Sequence, residues 1–326
     1  MARIVLGLGT SHTPMLLVDA ADLPRYEEND RRLTLLDLDG APSSFDALLA
    51  GASDRYVTAV APAQLSARHA AARRAIAGLS DALASAALDA LIVIGDDQQE
   101  MLPGDHPPAL LIYDRPTIRS RRPPRAPDRP EWVLRGSDRF YPADGPRDYP
   151  VAQALALHLG SHLKDQGFEV APFESDGVPM GHAFAFVCSQ LLRDPPVSLV
   201  PILLNALYPP NQPTPGRCIE IGEAIARAVA GFPQDARIGV VASGGLSHYV
   251  VDERLDRDLV RALTEQDFAA LAGLALHKLN SGNAEIRNWI CAAGVLRSLQ
   301  MDRIDYIPGY RTRVGTGTGL CFAVWR

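Results

Sequence analysis

Three histidines and one glutamate stand where their side chains could do chemistry. His12, in Gly7-Leu8-Gly9-Thr10-Ser11-His12-Thr13-Pro14-Met15, and His248, in Ala242-Ser243-Gly244-Gly245-Leu246-Ser247-His248, each follow a short apolar run. His182 stands in the glycine-containing string Gly181-His182-Ala183-Phe184. Loop residues held by a rigid scaffold are where catalysis concentrates, although a loop histidine can also do no more than cap a helix or bond a carbonyl. Glu285, in Ser281-Gly282-Asn283-Ala284-Glu285-Ile286-Arg287-Asn288-Trp289, falls in the first turn of an expected helix, where the dipole favours a carboxylate with or without a function. Taken together, neutral imidazole and carboxylate with coordination positions left open are the donors of non-haem Fe(II) oxygenases, in which substrate and O2 share one ion. His12 and Glu285 supply such donors, and a histidine nearby, such as His248, can take up and return a proton near neutrality.

The remaining histidines carry less. His158 and His162 are four apart in an expected helix and share a face, a spacing that can hold a metal, but no Glu follows the first. His69 and His277 lie inside helical patterns and read as packing or solvent-facing. His106 comes soon after the polar run 96–100 and stays a candidate.

These residues need a scaffold. Residues 3–8 form an apolar, β-branched run ended by Gly9, which predicts a buried strand with His12 just past it. Residues 63–88 predict a long helix leading into a second buried strand, 90–95, with Asp96, Asp97, Gln98, Gln99 and Glu100 at its end. Further strands are expected at 168–173, 197–204, 238–242 and 319–325, and helices near 149–166, 215–231, 255–265, 267–275 and 284–299. Prolines in Tyr208-Pro209-Pro210-Asn211-Gln212-Pro213 forbid regular structure there. The proline- and arginine-rich segment 103–150 predicts a loop-rich excursion that covers a site or mediates assembly. Alternating strands and helices without repeats predict a single α/β domain around a mixed or largely parallel sheet, in which ligands gather outside the carboxyl ends of the strands.

Composition narrows the partners. At 326 residues, 47% of them hydrophobic, the chain has ample material for a core. A net charge of -6, with basic residues clustered only in the short stretch 119–125, offers no field for nucleic acid. The N-terminal apolar run is too short for a signal peptide, and no apolar stretch reaches the roughly 18 to 20 residues that span a bilayer, so a cytoplasmic protein off the membrane is expected. Cys188, Cys218, Cys291 and Cys321 lack CxxC spacing and read as packing.

The strings around His12, His182, Glu285 and His248 resemble the class III extradiol ring-cleavage dioxygenases, the superfamily of the protocatechuate 4,5-dioxygenase β subunit, and within it the 3-O-methylgallate 3,4-dioxygenase branch. So do Ile94-Gly95-Asp96-Asp97-Gln98-Gln99-Glu100, the proline string after Tyr208, and Tyr310-Arg311-Thr312, and all occur in the family's order. The resemblance implies Fe(II) held by two histidines and a glutamate, a small aromatic substrate, O2 and a homo-oligomer, commonly a dimer. It assigns His12 and Glu285 to the metal, His248 to proton transfer, and His182 to a place facing the substrate. The second histidine ligand falls on Gln98, a harder and weaker donor, with Asp97, Glu100 and His106 as alternatives. Tyr310, Arg311 and Tyr208 are expected at the substrate, Arg311 pairing with a carboxylate or else with a surface acid. A non-catalytic binding protein on the same fold and a metal-dependent hydrolase are the other readings.

Overall fold

Every residue of Ala90–Gly95 is buried, as a strand with partners on both edges and helices on both faces requires. The computed structural model describes residues 1–102, 104, 106–124, 129–173 and 177–326. Its eight-stranded sheet comprises β1 (Arg3–Thr10), β2 (Ala90–Gly95), β3 (Leu110–Ile112), β4 (Ser198–Leu204), β5 (Arg237–Ser243), β6 (His248–Val250), β7 (Met301–Tyr310) and β8 (Thr316–Trp325). The order is β6-β8-β1-β5-β2-β4-β3, with β7 also against β8. The four central strands β1, β5, β2 and β4 run parallel, while β8 and β3 flank them antiparallel.

Helices cover both faces: α1 (Pro62–Ser85), α2 (Glu131–Asp138), α3 (Gln153–Asp165), α4 (His182–Gln190), α5 (Pro215–Ala230), α6 (Glu253–Glu265) and α7 (Ile286–Val295). The period-two alternation of β2 sorts the core. Ile92 and Ile94 pack with α3, α5, α6 and α7, whereas Leu91 and Val93 pack with α1, α2 and α4. The result is the single α/β domain expected, and the four cysteines are free and buried within it. Among the described residues no helix is long and apolar enough to cross a membrane.

Three expectations change. Residues 168–173 contribute a single isolated bridge, Ala171 with Leu111, in place of a strand. β7 has no forerunner in the sequence reading, because it is half-exposed along most of its length and carries Pro308, tolerated in a strand paired on one side only. The 103–150 excursion contains β3, α2 and a two-stranded ribbon, Thr117–Ser120 with Arg147–Pro150. Positions 103, 105 and 125–128 of that excursion lie outside the described residues.

The crossing of α5 and α7 matters to the site because α7 follows directly on Glu285. A Cβ at Gly222 would lie 2.1 Å from the Cys291 carbonyl oxygen, and one at Gly294 would lie 2.5 Å from that of Ile219, so the two backbones touch. Gly222→Ala is expected to destabilise the fold by about 1–3 kcal/mol, the usual cost of overpacking against atoms that cannot move aside. Urea denaturation checks it; an unchanged midpoint would show that the crossing yields freely.

Candidate metal centre and active-site cavity

The carboxyl ends of β1, β5 and β2 lie side by side, and the chain just beyond each supplies one part of the site. His12 is buried two residues past β1. Its Nδ1 is 2.9 Å from Ser243 Oγ, and that hydroxyl donates to the Ala183 carbonyl at 2.7 Å. With the serine proton committed, Ser243 accepts from Nδ1–H, and the neutral ring carries its lone pair on Nε2. Nε2 points toward Glu285, 3.4 Å from Oε2.

Asp96 is the first residue past β2 and is 0% exposed. Its Oδ1 accepts from Asn288 Nδ2 at 3.0 Å. Neither its Oδ2 nor His12 Nε2 has a hydrogen-bond partner among the described residues. One donor atom each from His12, Asp96 and Glu285 lie within 4.8 Å of one another. A lone pair and two carboxylates facing each other out of water, with no proton donor among them, repel until a cation sits between them. The three residues therefore fit a divalent metal. Burial, and then the charge of Glu285, raise the Asp96 carboxyl to about 6. Burial would raise Glu285 too, but the charges that His248 and His12 carry when protonated hold it well below the usual carboxylate range.

Glu285 ends a short 3-10 turn, Ser281–Glu285, at the start of α7, and its Oε2 accepts the Gly245 N–H at 2.6 Å. The rest of its string ties α7 to the sheet: Asn288 also donates to the Ser243 carbonyl, Trp289 donates to that of Gly244, and Arg287 to those of Pro213 and Leu279. His248 opens β6. Its Nδ1 is 2.9 Å from the Leu246 carbonyl; a carbonyl only accepts, so Nδ1 carries the proton and Nε2, 3.6 Å from Glu285 Oε1, keeps the lone pair. The glycines of the motifs make room for this ring, since a Cβ at Gly245 or Gly282 would come within 2.5 Å of it.

His182, expected in a loop, is the first residue of α4 and meets His12 edge to face, centroids 4.7 Å apart. Glu100 Oε2 accepts from both its Nδ1, at 2.5 Å, and its backbone N–H, at 3.0 Å. Burial alone would depress this imidazole, but Glu100, Asp96 and Glu285 push it up to about 10.

His12, Glu285, His248 and His182 open onto a cavity of about 690 Å³. Gln98, Glu100 and Tyr208 line it, and the 103–150 excursion supplies a wall through Leu134, Phe140 and Tyr141. The expected second ligand, Gln98, does not lie with His12 and Glu285. Gln98 is exposed on the cavity wall, and the buried donor facing His12 and Glu285 is Asp96. The Asp97 carboxylate is taken up by the backbone N–H groups of Glu100, Met101 and Leu102. His106 lines a separate groove.

The expected substrate contacts divide. Tyr208 is at the cavity. The Tyr310 hydroxyl donates to Glu253, its ring packs on Tyr56, and it is absent from the cavity lining. Arg311 reaches the cavity edge, but its Nε and Nη2 grip buried Asp30 at 2.8 and 2.9 Å, so its bidentate face is not available to a substrate carboxylate. Sequence reasoning named Asp96 only as part of the polar run after the 90–95 strand and did not single out Ser243, Asn288 or the Glu100–His182 pairing, although Asp96 carried one usable signal: it is the first polar residue after a wholly apolar strand.

A family model described as the catalytic LigB subunit of aromatic ring-opening dioxygenase matches residues 138–312. Gallate dioxygenase of Pseudomonas putida is 30% identical over 174 residues, 46% of this chain and 48% of that protein. The 2,3-dihydroxyphenylpropionate/2,3-dihydroxicinnamic acid 1,2-dioxygenase of Comamonas testosteroni is 34% identical over 100 residues, 30% of each. The match thus spans about half the length of the first relative and less than a third of the second.

Proposed function

Because the chain belongs to the family of the catalytic LigB subunit of aromatic ring-opening dioxygenase, we propose that it opens the ring of a catechol-type or methoxylated, gallate-like compound with O2, using Fe(II) held by His12, Asp96 and Glu285. The observation that carries this reading is the buried cluster of His12, Asp96 and Glu285, in which His12 Nε2 and Asp96 Oδ2 have no hydrogen-bond partner among the described residues, beside a cavity lined by His12, Glu285, His248 and His182. When bound, Fe(II) supplies a Lewis acid and a template on which substrate oxygens and O2 meet.

The chain's own residues do the rest. His248, its Nδ1 tied to a carbonyl, uses Nε2 to take a phenolic proton and return it later in the reaction. His182 hydrogen-bonds a substrate oxygen from the other side of His12. Phe140, Leu134 and Leu207 offer the ring apolar surface and exclude water, and Tyr208 borders the same space. Asp96 and Glu285 together balance a dication, so the centre is electrically neutral before substrate enters. The reading extends to an enzyme of the cytoplasm, and the family resemblance adds that it works as two or more copies.

Anaerobic loading with Fe(II), followed by oxygen-electrode measurements with catechol, gallate and 3-O-methylgallate, tests it. Oxygen uptake in step with ring opening is expected with at least one of them, and none after chelation. Stoichiometric iron without oxygen uptake from any of the three would overturn the reading, and substrate turnover under strict anaerobiosis would make the centre hydrolytic.

A further inference from the structure

The turn after β2 presents a carboxylate, that of Glu100, outside the cluster of His12, Asp96 and Glu285. We propose that Glu100 is a positioning residue for His182, fixing the orientation of that ring so that Nε2 faces the substrate cavity. The inference rests on the functional reading above for what Nε2 meets there, and on geometry for the rest.

One oxygen of Glu100 accepts both N–H groups of the same residue, the ring Nδ1–H at 2.5 Å and the backbone N–H at 3.0 Å. A carboxylate partner is an acceptor, so Nδ1 keeps its proton and Nε2 is the ring atom left for the cavity that His182 lines. Two simultaneous contacts to one oxygen fix the orientation of the ring, with Nδ1–H toward Glu100 and Nε2 toward the cavity, and a charge-assisted bond of this kind is about twice as strong as a neutral one.

Glu100 is itself held. Asp97 accepts three successive backbone N–H groups, Gln99 takes a left-handed φ of 62°, and the turn they form aims Glu100 at the first residue of α4. Gly181 permits the approach, since a Cβ there would lie 3.1 Å from Glu100 Oε2. The two substrate-facing histidines are thus anchored differently: His248 by a neutral carbonyl, His182 by a carboxylate. An anionic partner orients the ring and raises its basicity, as carboxylates behind metal-bound histidines do.

A double-mutant cycle tests the coupling. Glu100→Gln preserves size and an acceptor oxygen while removing the charge, so the turn is retained. It is expected to lower kcat/KM on the order of tenfold in the wild-type background, within the range for directly coupled side chains, and to cost nothing further in a His182→Ala background. Equal losses in both backgrounds would overturn the proposal, because Glu100 would then act without His182. A second readout does not depend on turnover. In protein labelled with 15N-histidine, the hydrogen-bonded Nδ1–H signal of His182, assigned by its loss in His182→Ala, is expected to vanish or shift strongly in Glu100→Ala. Its persistence unchanged would equally overturn the proposal. A wild-type protein that shows the signal but consumes no oxygen with any catechol would sink the dioxygenase reading and leave the Glu100–His182 pair standing.

Discussion

Asp96→Ala is expected to empty the metal centre, whereas Gln98→Ala is expected to leave it loaded. Loss of an outer partner of a metal-binding histidine typically costs about 10–100-fold in metal affinity, and removing a direct donor should cost at least that. Asp96 Oδ2 is a buried anionic oxygen with no competing hydrogen bond, held from behind by Asn288. Gln98 is exposed, neutral and on the cavity wall, where losing it alters the shape of the space and not the charge beside His12 and Glu285. Iron content after gel filtration, with the affinity measured by chelator competition, distinguishes the two. Retention of iron by Asp96→Ala together with its loss from Gln98→Ala would return the ligand set to the one the family resemblance implies. Asp96→Asn refines the test, because the amide keeps the volume and surrenders only the charge.

His248→Ala is expected to abolish turnover while leaving the metal in place. General acid–base groups contribute about 10²–10⁴-fold to rate, and among the described residues His248 is the histidine at the cavity whose Nδ1 is satisfied by a carbonyl and whose Nε2 remains open. It does not belong to the triplet of donors around His12. The ring stands between Gly245 and Gly282, so truncation leaves a small space beside Glu285 without disturbing the Gly245 N–H that holds that carboxylate. The measurement is iron stoichiometry alongside kcat under saturating oxygen. Loss of iron in His248→Ala would make the residue a ligand and would require another base.

Much of the scaffold was legible because its signals are local. A wholly buried parallel strand reads as an unbroken apolar run, and the expected 90–95 coincides with β2. The long helix before it and α5 were likewise within a few residues of their expected ends. What failed was structure set by neighbours: β7 owes its existence to pairing with β8, and α4 starts on His182 where Glu100, from a distant turn, receives the first N–H.

The amino-acid sequence by itself determined the α/β alternation, the motif strings and the three strand ends at which polar groups gather, since each depends on periodicity and composition over a few residues. It also brought His12, Glu285, His248 and His182 forward as the chemistry-bearing set, and the fold collects all four around one cavity. Only the tertiary structure decided which residue after β2 faces His12 and Glu285. The first position past a central strand stays walled in by its neighbours, so Asp96 is buried, while the turn that Asp97 closes carries Gln98 out to the wall and Glu100 across to His182. The same holds for Arg311, whose partner Asp30 lies 281 residues away in the chain and is brought to it by packing alone. Which carboxylate meets a metal, a histidine or an arginine is set by burial and distance in space, and neither is written in local spacing.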